Sequence, residues 1–512
     1  MSHPVVRRAF MGAAGTGVLA TLGQTNAWFA VADDHQGPLN VGSEKVLFID
    51  PAVIEKSDRI LRTFHQPKKH PRPVLTVDRP WEGMSATCPC LLFDEADHKF
   101  RMWYSTYSIP ESFRKRGIVP GDDKLSSRFC YAESKDGIHW EKPELDVFRF
   151  EGRATNVVLH EPVGWRAVTT VLELPEKAGL GRFVLYRMNP DNLYSSEDGF
   201  HWKQITGHSY RSDSGSLMYD PQRNRLVWCV KTGGKRYDGT HEGHAVGSAW
   251  TQSLPDAISS NTWGQWPPKP IFIPDERDDQ EAQAEGFANR GFYNWNGWAY
   301  GSAWLGWLWR YDRWIPPAPH DGPLSIELVY SLDGENWRRI PERPVILPYG
   351  KVGEFDSSCA LTCQPPVRVG NELWICYAGT ESTHGWDLDN GIQWKGGRKR
   401  QSVGLAKWRI DGFMSLDAKG VGSFTTRPLV FQGKNLFVNY RSPSGFVKIG
   451  LLDENGKAIT GLSPVEADEL KGDSFSQMVS WQGDADVNAH AGKPIRLRFE
   501  MMHAAMFGFQ FQ

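Results

Sequence analysis

The chain predicts an all-β protein, a five-bladed β-propeller followed by a C-terminal β-sandwich. Three observations carry the prediction. Apolar runs are short, about 5 to 8 residues, and end in Gly, Asp, Asn or Pro, while helical patterns are scarce. Turn formers and aromatics are plentiful, with 51 Gly, 33 Pro and 22 Trp in 512 residues. Finally, a Ser-x-(x)-Asp-Gly-x-x-Trp signature recurs as "YAESKDGIHWEKP" (131–143), "LYSSEDGFHWKQI" (193–205) and "VYSLDGENWRRIP" (329–341), each time after a short apolar strand.

Asp136-Gly137 precedes Trp140, Asp198-Gly199 precedes Trp202, and Asp333-Gly334 precedes Trp337. A degenerate copy surrounds Asp256 and ends at Trp263; a fifth, "LAKWRIDGFMSLD", carries Asp411-Gly412 with Phe413 after it. Asp-Gly is the favoured two-residue hairpin connection because a type I′ turn needs φ > 0 at both positions, so each copy reads as a hairpin at the edge of one blade. A middle strand is expected upstream of each turn: "KFRMWYS", "RFVLYRM", "RLVWCVK", "GWAYGSA" and "ELWICYA". Before each comes an inner strand: "SATCPCLLFD", "TNVVLHE", "SGSLMYD", "AEGFANR" and "SSCALTCQPP". Five such units make five blades over residues 33–420. "WLGWLWRYDRWIPPAPHDGP" reads as an insertion. Residues 421–512 alternate apolar and polar and lack the turn signature, which predicts the sandwich.

Residues 1–32 stand apart. Arg7 and Arg8, then Phe10, precede a weakly apolar Gly/Ala-rich stretch, and "AVA" at 30 to 32 offers small residues before Asp33. This predicts a twin-arginine-type signal and a periplasmic or extracellular mature protein that is not membrane-bound once the signal is removed. A formal net charge of −2 gives no reason to expect nucleic acid as a partner. The seven cysteines lack paired zinc spacing and mostly fall in apolar strands, so they read as buried thiols with room for one disulfide.

A propeller lines its central funnel with inner strands, so polar residues at their entrances converge although distant in sequence. The candidates are Trp81 and Glu82 in "RPWEGMSATCP", Asn156 in "FEGRATNVVLHE", Asp213 in "YRSDSGSLMYD", Glu281 and Glu285 in "RDDQEAQAEGF", and Asp356 in "GEFDSSCAL"; His384 follows a middle strand. Glu82, Asp213, Asp356 and Glu285 are the catalytic candidates, because paired carboxylates can protonate a leaving oxygen and activate water or attack directly. Trp81, Asn156, Glu281 and His384 are the candidates for binding substrate. No cofactor is required; calcium is admissible. The alternative is a carbohydrate-binding propeller without catalysis.

"PWEG" (80–83), "SKDGIHWEKPEL" (134–145), "SDSG" (212–215), "FDSS" (355–358) and "RIDGFMSLDA" (409–418) resemble the five-bladed clan of glycoside hydrolase families 32, 43, 62, 68 and 117 and the neighbouring family 130. The likeness is greatest to exported planctomycete-type proteins described as glycosyl hydrolase family 32 N-terminal-like. The resemblance implies glycosidic-bond cleavage in an oligo- or polysaccharide. Family 32's Trp-x-Asn-Asp-Pro, Arg-Asp-Pro and Glu-Cys-Pro segments are absent, and Thr87 stands where "TCPC" would need Glu, so fructan activity is not implied.

Overall fold

The computed structural model describes residues 37–83, 85–107, 127–160, 167–188, 192–207, 214–251, 268–314, 321–384 and 401–512. The expected signal (1–32), the Asp256 turn copy and Asp213 lie outside them. The described chain is nearly all-β, with one α-helix, Glu276–Ala284, among these residues.

The sheets follow one another along the chain. Antiparallel strands Ser85–Asp94, Lys99–Tyr107, Arg128–Ser134 and Val157–His160 form the first, and Val168–Glu173 through Lys203–Gly207 form the second. Gly215–Asp220, Arg225–Lys235, His241–Trp250 and Lys269–Phe272 form the third. A ten-stranded sheet supplies the rest in two halves. Asn289–Tyr300, Ala303–Arg313 and Leu324–Ser331 open one half; Cys359–Leu361, Glu372–Thr380 and Ser402–Arg409 build the other. The halves meet at one parallel pairing, Leu324 opposite Cys359. Lys68–Lys69, from the start of the chain, pairs with Ser402–Arg409 and completes the second half.

Three strand assignments differ from the expectation, the first being "AEGFANR", which holds the helix end and the turn after it and supplies only Asn289 and Arg290 to the strand Asn289–Tyr300. "TNVVLHE" is the fourth strand of the first sheet, because Val157 and Leu159 pair with Cys130 and Phe129; Val168–Glu173 opens the second sheet instead. "WLGWLWRYDR" is no insertion but the middle strand of the fourth unit, paired along its length with Asn289–Tyr300, into which "GWAY" is absorbed.

The turn signature also works differently. Only Gly137, Gly199 and Gly334 have left-handed φ (+71°, +81°, +76°), while their preceding aspartates do not, so no type I′ hairpin forms. Instead Asp136 Oδ1 accepts the N–H groups of Ile138 and His139 at 2.8 Å, and Ser134 Oγ accepts the N–H of Gly137 at 2.9 Å. Trp140 Nε1 then donates to Gly137 O at 3.1 Å. The same bonds recur at Asp198 and Asp333. The glycine also touches a neighbouring ring. A Cβ at Gly137 would lie 2.6 Å from Trp374, and one at Gly199 2.6 Å from Trp103. In the fifth copy Asp411 itself takes the left-handed conformation (φ +62°), and the chain leaves for a different sheet.

Each sheet packs on its successor through aromatic rings. Trp103 meets Phe183 between the first and second, Tyr186 meets Trp228 between the second and third, and Trp295 Nε1 donates to Gly247 O between the fourth and third. Trp307 and Trp309 donate to Gln364 O and Thr362 O across the ten-stranded sheet. Phe100 stacks on Trp374 at 5.0 Å, bringing the last half-sheet back against the first.

Leu145–Phe150 and Arg153–Thr155 form a two-stranded sheet of their own, and the strands left form a nine-stranded sheet around Leu436–Asp453 and Ile495–Phe511. It also takes up Leu39–Gly42, Val46–Leu47, Ile54–Asp58 and Leu61–Phe64, and the expected boundary at 420 falls inside its strand Met414–Thr426. All seven cysteines are free thiols, six of them buried.

Gly199→Ala combines a left-handed backbone with a clash against Trp103, and is expected to cost roughly 1–3 kcal/mol, measured by chemical denaturation. The carboxyl of Asp333 would be raised by burial, but the N–H and side chain of Asn336 hold it down to about 2. Its folded pKa lies below its unfolded one, so its stabilisation is complete above the ordinary Asp range and drains away as pH falls towards 2. Asp333→Asn, which keeps an acceptor, is expected to weaken the fall in denaturation midpoint between pH 5 and pH 2.

Candidate functional site

The structure distributes the sequence candidates over three neighbourhoods. Trp81, Glu82 and Asn156 form the first, sealed on one face of the first sheet. Glu82 is fully buried; its carboxylate accepts from the Tyr104 hydroxyl, from Lys142 Nζ at 2.8 Å and from the N–H groups of Asp78 and Arg79 at 2.8 and 2.9 Å. Asn156 Nδ2 donates to the Tyr104 hydroxyl and to Tyr131 O, and Trp81 Nε1 donates to Asn156 Oδ1, all at 2.7–2.8 Å. These side chains satisfy one another within the seam between the first sheet and the last, and Glu82 has no oxygen turned towards solvent. The geometry is that of a structural clasp.

The same carboxylate–tyrosine–lysine grouping occurs twice more. Asp356 Oδ2 accepts from Lys69 Nζ at 2.6 Å and from the Tyr377 hydroxyl at 2.9 Å. Asp411 Oδ1 accepts from Lys45 Nζ at 3.0 Å and from the Tyr300 hydroxyl at 2.7 Å, while its Oδ2 accepts from Asn439 Nδ2. Burial chiefly pushes each of these tyrosines well above the ordinary phenol range, followed by the neighbouring carboxylate at Tyr300 and Tyr377 and by Cys130 and then Glu82 at Tyr104. The clasp around Asp356 differs in one respect. Its Oδ1 makes no hydrogen bond among the described residues, and lies 2.1 Å from where a Cβ on Gly350 would stand. Only glycine there leaves room for that oxygen.

The second neighbourhood surrounds Tyr349, the residue before that glycine. The charges of Asp312 and Glu285 act on the Tyr349 phenol, which burial chiefly raises. Glu285 caps the C-terminal end of the helix Glu276–Ala284. Burial, with the charge of Asp312, pushes its carboxyl above the usual glutamate range; Arg310 and Arg290 oppose the shift without cancelling it. Asp312 Oδ1 accepts from Arg290 Nε at 2.6 Å. Glu281, on the same helix, is occupied by Arg290 at 2.8 Å and Arg277 at 2.7 Å, and its carboxyl is held low despite burial, chiefly by the Arg290 hydrogen bond. The helix begins on a capping box between Asp275 and Asp278, which fixes the angle at which it delivers Glu281 and Glu285.

The third neighbourhood holds His384. Its ring lies 4.3 Å from Tyr293 and 5.4 Å from Tyr311, and its backbone N–H donates to Gly322 O. His244 closes the group 5.2 Å from Tyr311, and Lys231 Nζ sits 4.3 Å above the Tyr293 ring. His244 is pushed down by burial, which Glu242 only partly offsets, so its imidazole is neutral at pH 7. Arg313 is fastened to Glu242 at 2.7 Å. The thiol of Cys359 acts on both Tyr311 and Tyr349, so this aromatic–imidazole group adjoins the carboxyl neighbourhood.

The sequence candidates Glu285, Asp356 and His384 therefore stand along one stretch between the two halves of the ten-stranded sheet, whereas Trp81, Glu82 and Asn156 do not join them. Arg310, Tyr311, Asp312, Tyr293, His244 and Tyr349 escaped the sequence reading. Among the described residues no three His, Cys, Asp or Glu side chains are grouped as a metal site.

No family model matches the chain, and no curated protein matches it. Among solved structures, it is similar to an N-acetylgalactosamine deacetylase from F. plautii in complex with blood group B trisaccharide (TM-score 0.43, 14% identity, 68% of this chain and 96% of the other). It is also similar to the β-1,2-mannobiose phosphorylase of Listeria innocua (TM-score 0.43, 12% identity, 70% and 98%) and to a thermostable family-43 glycoside hydrolase (TM-score 0.39, 13% identity, 67% and 96%).

Glu82→Ala would strip the buried Tyr104 hydroxyl of its acceptor and Lys142 of its buried carboxylate, leaving the ammonium only Thr76 O and the exposed Asp78. It is expected to cost about 3–5 kcal/mol, the usual penalty for breaking a buried ion pair, read as a lower urea midpoint at neutral pH.

Proposed function

We propose that the chain is an exported carbohydrate-active enzyme that cleaves glycosidic bonds, built as a five-bladed β-propeller with a C-terminal β-sandwich. Support for the propeller comes from the return of the last half-sheet onto the first and from its completion by Lys68–Lys69. Export rests on Arg7, Arg8 and the Gly/Ala-rich stretch after them.

The observation that carries the chemistry is a pair of carboxyl groups in opposite environments on either side of Tyr349–Gly350. Glu285 is exposed at the helix end, makes no side-chain hydrogen bond among the described residues, and has its carboxyl shifted upward by partial desolvation and then by the charge of Asp312, as suits a proton donor to a leaving oxygen. Asp356, although buried, has one oxygen clamped by Lys69 and Tyr377 and the other without a hydrogen bond among the described residues, as suits a positioned carboxylate that activates water or attacks the anomeric carbon. His384, half-buried against the buried rings of Tyr293 and Tyr311, offers a polar edge to a sugar. Glu82 acts as a clasp in this reading, and Asp213 keeps its sequence-based candidacy only.

One observation favours a non-catalytic sugar-binding protein instead: the clasp around Asp356 shares its composition with that around Asp411, which lies between the fourth unit and the nine-stranded sheet, away from Tyr349. Turnover separates the two readings. With the purified protein screened against plant and algal polysaccharides and aryl glycosides, Glu285→Gln and Asp356→Asn are each expected to lower turnover at least about 10²-fold while the fold survives. Because the donor must be protonated, the rate is expected to fall on the alkaline side at a pH above the ordinary glutamate value of about 4.3, and Glu285→Gln removes that limb. No turnover of any glycan by the wild type would favour the binding reading, and unchanged rates in both variants would remove Glu285 and Asp356 from the chemistry.

A further inference from the structure

The hairpin that joins Arg225–Lys235 to His241–Trp250 outgrows the inner strand beside it. Gly215, the first residue of that inner strand, lies opposite Val230, so the paired residues from Lys231 to Lys235 and from His241 to Val246 stand beyond it. They meet the fourth unit at the end where its strand Asn289–Tyr300 begins. Asn289 pairs there with Arg313, and Arg313 holds Glu242 of the hairpin through two bonds of 2.7 and 3.1 Å. Two more side chains of the hairpin, Tyr237 and His244, reach the same way, and each has a surface that the chain itself leaves unused.

Among the described residues Tyr237 is the only exposed aromatic, at 52%. Its ring is nonetheless tethered: the hydroxyl donates to Asp279 Oδ2 at 2.9 Å, on the helix Glu276–Ala284. Asp279 is itself fixed, because Arg236 donates to both its oxygens at 2.6 Å and the Arg290 N–H donates to Oδ1 at 3.2 Å. An aromatic face held bare in one orientation is preformed for a sugar ring. His244 supplies a fixed donor. Its Nδ1 lies 3.3 Å from Arg313 Nη1 and 3.6 Å from Glu242 Oε1, the latter beyond hydrogen-bonding distance. A guanidinium nitrogen only donates, so Nδ1 accepts and the proton of the neutral ring sits on Nε2. Arg313 is kept from turning away by Asn289 Oδ1, which takes its Nε at 2.6 Å. The imidazole packs on Tyr293 and Tyr311, the pair that also carries His384, with centroids 5.6 and 5.2 Å away. Glycine at 291 makes the room, since a Cβ there would lie 2.8 Å from His244 Cβ. The His244 side chain stays 20% exposed, and its Nε2 makes no hydrogen bond among the described residues.

We propose that this hairpin is the edge along which a glycan chain lies, with His244 Nε2–H donating to an oxygen of one sugar and Tyr237 stacking on another further out. Extended strand separates His241 from His244, which sets the two contacts about 10 Å or more apart. That span exceeds one sugar ring, so the ligand is an oligo- or polysaccharide laid along the hairpin. The inference rests on the reading of the cleft as a carbohydrate site and adds the path of the chain and the residues that sense its length.

The test runs the full chain in native gels containing soluble arabinan, xylan, mannan, β-glucan, pectin or alginate. Calorimetric titration follows, with di- to hexasaccharides of the polysaccharide that retards it most. The wild type is expected to bind more tightly as the oligosaccharide lengthens. Tyr237→Ala, a substitution of an exposed ring, is expected to weaken the longer ligands roughly threefold to tenfold, the range of one aromatic contact, and to leave the disaccharide untouched. Tyr237→Phe, which keeps the ring and frees it from Asp279, should fall between the two. His244→Phe keeps the bulk between the tyrosines and removes the donor; it is expected to weaken short and long ligands alike, by roughly the factor that one hydrogen bond supplies. Retardation by none of these polysaccharides, wild-type affinity in either Tyr237→Ala or His244→Phe, or a Tyr237→Ala loss equal at every length overturns the proposal. The hydrolytic reading stands or falls separately: the length-dependent pattern in a protein that turns over no glycoside keeps the hairpin site and rejects hydrolysis, and hydrolysis with KM unmoved by both substitutions does the reverse.

Discussion

The described structure hangs on one recurrent interaction, a buried carboxylate held by a tyrosine hydroxyl and a lysine ammonium. Each clasp sits where separate parts of the chain must meet. Glu82, Tyr104 and Lys142 tie the segment entering the first sheet to the loop beyond its turn; Asp356, Tyr377 and Lys69 tie the last half-sheet to the strand borrowed from the beginning of the chain. Asp411, Tyr300 and Lys45 fasten the fourth unit to the nine-stranded sheet. Apolar packing between sheets is non-directional and tolerates sliding, whereas an ion pair that loses a partner when shifted does not. The rings supply the cohesion, and the clasps fix the register at which the sheets cohere.

Much of this architecture is legible in the amino-acid order because the turn signature is local. Ser134, Asp136, Gly137 and Trp140 bond almost entirely to one another, so their spacing carries the information by itself. In the third sheet the first two strands, Gly215–Asp220 and Arg225–Lys235, fall where the sequence reading put them. What failed was the assignment of strands to sheets. "TNVVLHE" alternates as any strand does, and nothing in it says whether it ends one sheet or opens the next; that depends on pairing with Phe129 and Cys130. "WLGWLWRYDR" read as an insertion because it is nearly all apolar, the mark of a strand covered on both faces rather than of a loop.

The candidate site divides along the same line. Glu82 and Asp356 share an offset, three residues before an inner strand, and both are found where that offset puts them, buried against a middle-strand tyrosine. Whether an acid at that offset is closed off or open depends on groups distant in sequence: Asp78, Arg79 and Lys142 fill one, while Gly350 leaves the other an oxygen to spare. Arg310 and Asp312 were hidden inside the misread strand. Charged residues in an otherwise aromatic run were the available signal, since burial of such groups is rare unless something is done with them.

Lys68–Lys69 forms its antiparallel pair with a strand that begins at Ser402. During synthesis the early partner leaves the ribosome long before the later one exists, and the intervening sheets must assemble with a bare edge at each end. Unpaired edges invite association with other chains, and contacts so far apart in sequence form slowly. The nascent polypeptide is therefore most vulnerable just before it is finished, and becomes a sealed body only when its opening and closing stretches meet.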